Sequence, residues 1–142
     1  MGEDMNRPIY ETKADVANEE RVAELITEKR GYMMVKLPRL AQLDYAAFTT
    51  DGLKALVEIK YRLNKMAKYD SMMVGMDKVL YARQINQHFG VKSYLFVQWI
   101  DQIGYVCMNE DCTIDMGGRT DRGDPNDIGL HAYFDIDKFR GF

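Results

Sequence analysis

The sequence predicts an α/β fold: a central mixed β-sheet flanked by helices, with the elements in the order α-β-β-β-α-β-β-β. Three observations predict this class. Apolar residues recur with a helical period in one stretch before and one stretch after a group of three β-forming runs. The second helical stretch can cross over a sheet, so that the next strand joins in parallel. A dense run of β-forming residues follows it directly.

The composition is that of an ordinary globular protein. Its 142 residues are 46% apolar and 29% charged, which suits one folded domain. We expect the polar residues 1–15 to form a flexible arm and residues 16–142 to form a single domain. The formal net charge of −3 argues against a protein that coats nucleic acid. Without a secretory leader or an apolar run of about 18 residues, a cytoplasmic location is expected.

The first helix is predicted from about Asp15 to Arg30. Asp15 or Asn18 suits the N-cap, and two glutamates follow in the first turn. Gly31 suits the position just after a helix C-terminus. One apolar face has the i, i+3, i+4 spacing of a helix that packs on a core, and it consists of Val22, Leu25 and Ile26.

Three strands come next and are predicted to meander. Pro38 ends the first of them, because proline cannot donate to a strand ladder. Asp51-Gly52 is a strong short-range hairpin signal, and it joins the second strand to the third. The predicted ranges are Tyr32–Leu37, Leu43–Phe48 and Leu53–Tyr61.

The second half of the chain is predicted to contain one helix and three strands. Polar residues at Arg62–Ser71 indicate a loop or a frayed helix end, and Asp77–Phe89 is predicted to form a helix that ends at Gly90. Residues from about 109 to 129 are rich in Asp, Gly and Arg, which predicts a long loop. The predicted strands are Lys92–Ile100, Ile103–Met108 and Leu130–Ile136.

The hairpin carries the candidate site. Residue 51 lies midway between Asp44 and Glu58, so a turn there sets the two carboxylates roughly opposite each other. Side chains alternate along a strand, so Glu58 and Lys60 share one face. Two carboxylates and an ammonium on one face form a site for a hard divalent cation, and such a site suits phosphodiester hydrolysis.

Basic residues elsewhere are candidates for phosphate contacts, although each cluster is also typical of a solvated face. There are three such clusters: Lys29-Arg30; Lys60 with Arg62, Lys65 and Lys68; and Arg119 with Arg122. On the second helix, Lys78, Tyr81 and, less closely, Gln84 lie toward one side.

The cysteines are expected to be reduced thiols. A zinc site would need Cys107 and Cys112 together with His88 or His131. The C-x4-C spacing matches no strong zinc pattern and a fourth ligand is lacking, so the structural interpretation is preferred.

The order of elements, an acid in the first helix, Asp44 and Glu58-Ile59-Lys60 together resemble the restriction-endonuclease-like, or PD-(D/E)xK, superfamily. The sequence looks most similar to archaeal Holliday junction resolvases and virus-type replication-repair nucleases. The resemblance implies that Asp44, Glu58 and the Ile59 backbone carbonyl bind Mg²⁺ or Mn²⁺. It implies that Lys60 contacts the scissile phosphate or the attacking water. Leu43 replaces the proline of the signature.

The resemblance extends to the helices. Glu20 precedes Gly31 by eleven residues, as in the resolvases, so it is the first choice to complete the site. Glu19 and Glu24 are the alternatives. RecB-like members carry a Gln and a Tyr on the second helix near the site, which makes Tyr81 and Gln84 candidate substrate contacts beside Lys78 and Arg62.

The resemblance implies a metal-dependent DNA nuclease, either a structure-specific endonuclease or a small exonuclease, encoded by a phage or mobile element. DNA is the expected partner, RNA is left open, and a homodimer is expected because many relatives form one. The alternative is an inactive nuclease-fold subunit that binds nucleic acid within a larger complex. The acidic balance and the unmatched tail after residue 108 favour that alternative. A third interpretation is another metal hydrolase or an RNA-processing enzyme.

Overall fold

The computed structural model describes residues 13–117 and 129–142. Residues 1–12 of the predicted N-terminal arm lie outside the described residues, as do Arg119 and Arg122, whereas residues 13–15 belong to the first helix rather than to a flexible arm. The bounds of the elements are α1 Lys13–Arg30, β1 Met33–Lys36, β2 Tyr45–Thr49, β3 Gly52–Tyr61, β4 Ser71–Gly75, α2 Met76–Phe89, β5 Lys92–Gln98, β6 Ile103–Cys107, β7 Thr113–Gly117, β8 Gly129–Asp135 and β9 Arg140–Gly141. Short 3-10 turns lie at Met66–Lys68 and Ile136–Lys138.

A mixed sheet forms the centre of the described structure, with the strand order β1-β2-β3-β5-β6-β9. Strands β1, β2 and β3 meander in antiparallel pairs. Strand β5 then joins β3 in parallel, because α2 returns the chain to the starting end of the sheet. The structure confirms the predicted α/β class, the early antiparallel meander and the parallel pairing of the fourth strand in this sheet.

Both faces of β3 are covered, and this decides where its side chains go. The cluster under α1 consists of Val22, Ala23, Ile26, Tyr45, Val57, Ile59 and Phe96. The opposite cluster combines residues of β2, β3, β5, α2 and β8, among them Ala46, Leu56, Val79, Leu95 and Phe134. Alternate β3 residues therefore enter different layers, which is why residues 55–59 are buried without interruption.

The hairpin contains two irregularities that offset each other, so the pairing of β2 with β3 near the site is the predicted one. Tyr45 pairs with Val57, but the pairing shifts by one residue between Ala47 and Phe48. At the turn, Thr49 pairs with Gly52, so the connecting residues are 50 and 51 rather than 51 and 52. The shift restores the register that the sequence predicts at the far end of the hairpin.

A second sheet was not predicted. Strands β4, β8 and β7 form it in that order, with antiparallel pairing. Strand β7 lies inside the segment of residues 109–129 that was predicted to be a loop, and β8 does not extend the central sheet. In β7, Ile114 and Met116 do alternate with polar residues, but this short signal stands in a segment whose Asp, Gly and Arg content predicted a loop. No helix of the described part is both long and apolar enough to cross a membrane.

Candidate active site

Asp44 and Glu58 are brought together by the hairpin backbone. Asp44 directly precedes β2, and its N–H donates to the Val57 carbonyl at 3.0 Å. Its Oδ2 accepts a hydrogen bond from the Ile59 N–H at 2.8 Å. Continuing the β2–β3 register by one residue sets Asp44 opposite Glu58. The predicted placement of the two carboxylates on one face is therefore what the structure shows.

Two lysines hold the Glu58 carboxylate. Glu58 is 2% exposed, and its Oε2 lies 3.3 Å from Lys60 Nζ and 3.2 Å from Lys78 Nζ. Lys60 reaches it from the same strand face, as the alternation predicts. Lys78 comes from the first turn of α2 and also donates to the Gln42 carbonyl at 2.7 Å. A buried carboxylate is tolerated only when such partners compensate its desolvation.

The two carboxylates differ in their affinity for a proton. Burial, followed by the negative charge of Glu58, raises the pKa of Asp44 from 3.8 to about 7. Burial also acts to raise the pKa of Glu58, but the Lys60 and Lys78 charges outweigh it, and the Glu58 pKa lies below its ordinary value. The pair is thus poised to be one carboxylate and one carboxylic acid near neutral pH.

Glu58 Oε1 is buried and has no hydrogen-bond partner among the described residues. Such an atom normally has a partner in a folded protein, so this oxygen fits the role of a cation ligand. The oxygen donors of Asp44 and Glu58 are those that hard divalent cations prefer, and a cation would relieve their mutual repulsion. No group of three His, Cys, Asp or Glu side chains in the described ranges is close enough to hold a metal, so further ligands must include backbone or water oxygens.

Helix α1 supplies Glu19, rather than Glu20, to this region. Glu19 is buried, and its Oε2 lies 2.7 Å from Lys36 Nζ. It lines a polar cavity of about 260 Å³ together with Ile59, Lys60 and Arg62. Glu20 and Glu24 are exposed and do not line this cavity. The geometry therefore favours Glu19 over Glu20, the first choice from the sequence.

Of the three α2 residues that the sequence predicted near the site, only Lys78 contacts it. Lys78 contacts Glu58, whereas Tyr81 packs against the apolar cluster around Val79 and Leu95. Gln84 is exposed, and neither Tyr81 nor Gln84 lines the cavity beside Lys60. Only the first of these α2 candidates is close to the carboxylates, because successive turns of α2 move along the sheet and away from Glu58.

Sequence reasoning missed the partner that Lys78 finds and the pairing of Lys36 with Glu19. Both ion pairs join residues from different elements. The only sequence signal for either pair is a charged residue at a position that would otherwise face the core. The cysteines are free thiols on β6 and in the following turn region. Lys29 and Arg30 lie against the Phe142 ring, on the α1 side of the sheet.

Comparison with known proteins shows the family to which the chain belongs. The family model described as "Phage putative PDDEXK endonuclease" matches residues 5–142. The chain belongs to this PD-(D/E)xK family, and its family and fold are those of a nuclease. The family generally uses a divalent metal.

One solved structure is similar over most of its length: Archaeoglobus fulgidus Hjc, a Holliday junction resolvase from an archaeal hyperthermophile. The match has a TM-score of 0.57 and 14% identity, and it covers 89% of this chain and 90% of Hjc. At this identity the match shows the restriction-endonuclease-like fold. No curated protein sequence matches the chain significantly.

Proposed function

We propose that this protein is a divalent-metal-dependent nuclease that hydrolyses DNA phosphodiester bonds. One observation carries the proposal: the hairpin registers Asp44 opposite Glu58, with Lys60 on the same face and 3.3 Å from Glu58. The family and the fold support a nuclease, and the donor set supports a hard cation.

The ligands of the cation would be Asp44, the Oε1 of Glu58 and the Ile59 backbone carbonyl, and Glu19 would act on the cation through a bound water. Mg²⁺ or Mn²⁺ suits these oxygens. When bound, the cation would supply Lewis-acid stabilisation for the negative charge that develops on the phosphate oxygens. Asp44 must lose its proton to serve as a ligand, and its raised pKa makes that loss occur near neutral pH.

Lys60 would act on the substrate itself. Lys60 lines the polar cavity and its side chain is 31% exposed, so its ammonium can donate to a phosphate oxygen or orient the attacking water. Arg62 lines the same cavity two residues further along, where a second phosphate contact is needed to fix the strand. Lys78 keeps Glu58 ionised and correctly oriented, which is a positioning role rather than a substrate contact.

A second candidate function is a nuclease-fold subunit that binds nucleic acid without cutting it. The observation in its favour is the double pairing of Glu58 Oε2 with Lys60 and Lys78, which compensates the carboxylate without a metal. Calorimetric titration with Mg²⁺ and Mn²⁺ separates the candidates. Absence of binding at millimolar metal would favour the second.

Cleavage assays test the first candidate. Branched, single-stranded and duplex DNA, with RNA of matched sequence, are incubated with Mg²⁺ or Mn²⁺. Asp44→Ala and Lys60→Ala should abolish cleavage, whereas Glu24→Gln, an exposed change on α1, should leave it intact. Full activity in Asp44→Ala or Lys60→Ala would overturn the assignment. The homodimer stays a prediction of the family resemblance.

A further inference from the structure

A second cavity, of about 490 Å³, lies next to the candidate active site. We propose that it binds one unpaired nucleobase of the substrate, adjacent to the scissile phosphate. The inference rests on the proposed nuclease function and names the class of substrate. The lining residues that carry the argument are Arg62, Asn64, Tyr69, Asp70, Trp99 and Tyr133.

The two cavities adjoin at Arg62. Arg62 is the residue that lines both the polar cavity beside Lys60 and this larger cavity. Glu58, Lys60 and Arg62 alternate along one chain segment, so Arg62 lies about 7 Å beyond Lys60. A strand whose scissile phosphate contacts Lys60 would therefore bring its next nucleotide to Arg62 and to the mouth of the larger cavity.

The lining suits the two faces and the edge of a base. Tyr69, Trp99 and Tyr133 supply aromatic surface, and three methionines, Met66, Met72 and Met73, supply polarizable thioethers. Asn64, Asp70 and Ser71 supply hydrogen-bonding groups for a base edge. The volume lies in the range of small-molecule sites, which bury most of a ligand of nucleotide size.

The charge around the mouth matches a nucleic-acid backbone. Lys65 and Lys68 are exposed on the loop that follows β3, and Lys68 Nζ lies 5.4 Å from the Tyr69 ring centroid. With Arg62 they form a local run of positive charge in a chain whose formal net charge is −3. Cations interleaved with an exposed aromatic ring are typical of single-strand binding surfaces, where the backbone is tracked and the bases stack.

The occupant must be unpaired because a base within a duplex is stacked and hydrogen-bonded to its partner. A base can enter the cavity only if it is extruded from a duplex or belongs to a single strand. The free-energy cost of unstacking and unpairing is least where the base is already unpaired. The preferred substrate is therefore DNA with an unpaired nucleotide at the cut, such as an overhang, a flap or a branch point.

Trp99 provides a direct readout, because it is the only tryptophan of the chain and it lines the cavity. The full chain is titrated in EDTA with a single-stranded oligonucleotide, with a blunt duplex, and with an oligonucleotide of the same length made wholly of abasic sites. We expect the base-bearing single strand to change the Trp99 fluorescence, and the other two to leave it unchanged.

Variants of the cavity give the second measurement. Tyr69 is 58% exposed, so Tyr69→Ala should fold, and it should weaken single-strand binding by about 5- to 150-fold. Tyr69→Phe keeps the ring and should bind like the wild type. Ser71→Phe fills the cavity and should weaken binding as Tyr69→Ala does. Phe89→Ala, which removes a 72% exposed ring at the end of α2, is the matched control.

The outcomes separate this inference from the nuclease proposal. The base site is overturned, even if DNA is cleaved, when the single strand leaves the Trp99 fluorescence unchanged. It is also overturned when Tyr69→Ala binds the single strand as tightly as Phe89→Ala does. An equal fluorescence response to the abasic oligonucleotide also overturns it, since phosphate alone would then suffice. Base-dependent binding in EDTA without cleavage in any metal supports the base site and overturns the nuclease proposal.

Discussion

Replacing Asp44 with asparagine should make the metal-free protein more stable while it abolishes metal binding. The amide is nearly isosteric with the carboxyl group, and its oxygen can still accept the hydrogen bond from the Ile59 N–H. The change removes the cost of ionising a group that is buried beside the negative charge of Glu58. A residue that lowers the stability of its own fold is what a ligand site requires.

The magnitude follows from the shift in pKa. Asp44 has a folded-state pKa of about 7 against an ordinary value of 3.8. Because the folded-state pKa is raised, its contribution to stability is fully present below the unfolded-state pKa and is lost as the pH rises through about 7. The cost of ionisation is roughly 4 kcal/mol at about pH 8 and roughly 2 kcal/mol at about pH 5.

Urea unfolding in EDTA measures this prediction for the wild type, Asp44→Asn and a control, Asp51→Asn, which changes an exposed carboxylate at the hairpin turn. Asp44→Asn should gain more stability at about pH 8 than at about pH 5, by roughly 2 kcal/mol. The control should change little at either pH. An equal gain at both pH values, or a loss of stability at about pH 8, would refute the electrostatic reasoning.

Three further predictions concern the same site. Lys60→Met should lower the cleavage rate by about 10²- to 10⁴-fold while calorimetry still detects metal binding. If the variant loses metal binding together with cleavage, Lys60 does not act on the substrate. Lys78→Met should lower the free energy of unfolding by about 2–4 kcal/mol, because Glu58 loses one of its two counter-charges; an unchanged urea midpoint would contradict this. Glu19→Gln should weaken metal binding at least about tenfold and Glu20→Gln should not, by calorimetry; the reverse order would restore the choice made from the sequence.

The hairpin shows how far local patterns reach. The Asp51-Gly52 signal correctly predicted a hairpin that pairs the two carboxylate-bearing segments. It did not predict the turn at residues 50 and 51, nor the shift between Ala47 and Phe48 that offsets it. Turn type and register shifts depend on small differences in backbone energy, and both are decided by how β2 and β3 pack between two layers.

The helix acid shows a different limit. The i, i+3, i+4 pattern correctly placed α1 and its apolar face, with Val22 and Ile26 buried against the sheet. One residue along a helix turns the side chain by about 100°, so Glu19 and Glu20 point in different directions. Which of them lies beside Lys60 depends on how α1 is rotated on β3, and that rotation is fixed by the whole interface.

The second sheet could not be predicted from local patterns in the sequence. Strand β4 is short and rich in methionine, and the brief alternation in β7 stands in a segment rich in Asp and Gly, so neither is a strong strand signal. Each becomes a strand because β8 offers it a backbone ladder, with Met73 opposite Tyr133 and Thr113 opposite that same residue. The cavity beside the site exists only because this sheet packs near the end of β3.

By itself, the sequence determined the class of the fold and the common face of Asp44, Glu58 and Lys60. These follow from the period of a strand and the closure of a hairpin, which act over a few residues and need no knowledge of the rest of the chain. Tertiary structure alone decided that Lys78 contacts Glu58, that Glu19 rather than Glu20 lines the cavity beside Lys60, and that a second cavity lies at Arg62. Those features join segments far apart in the chain, and their geometry is set by the packing of complete elements, which no local pattern encodes.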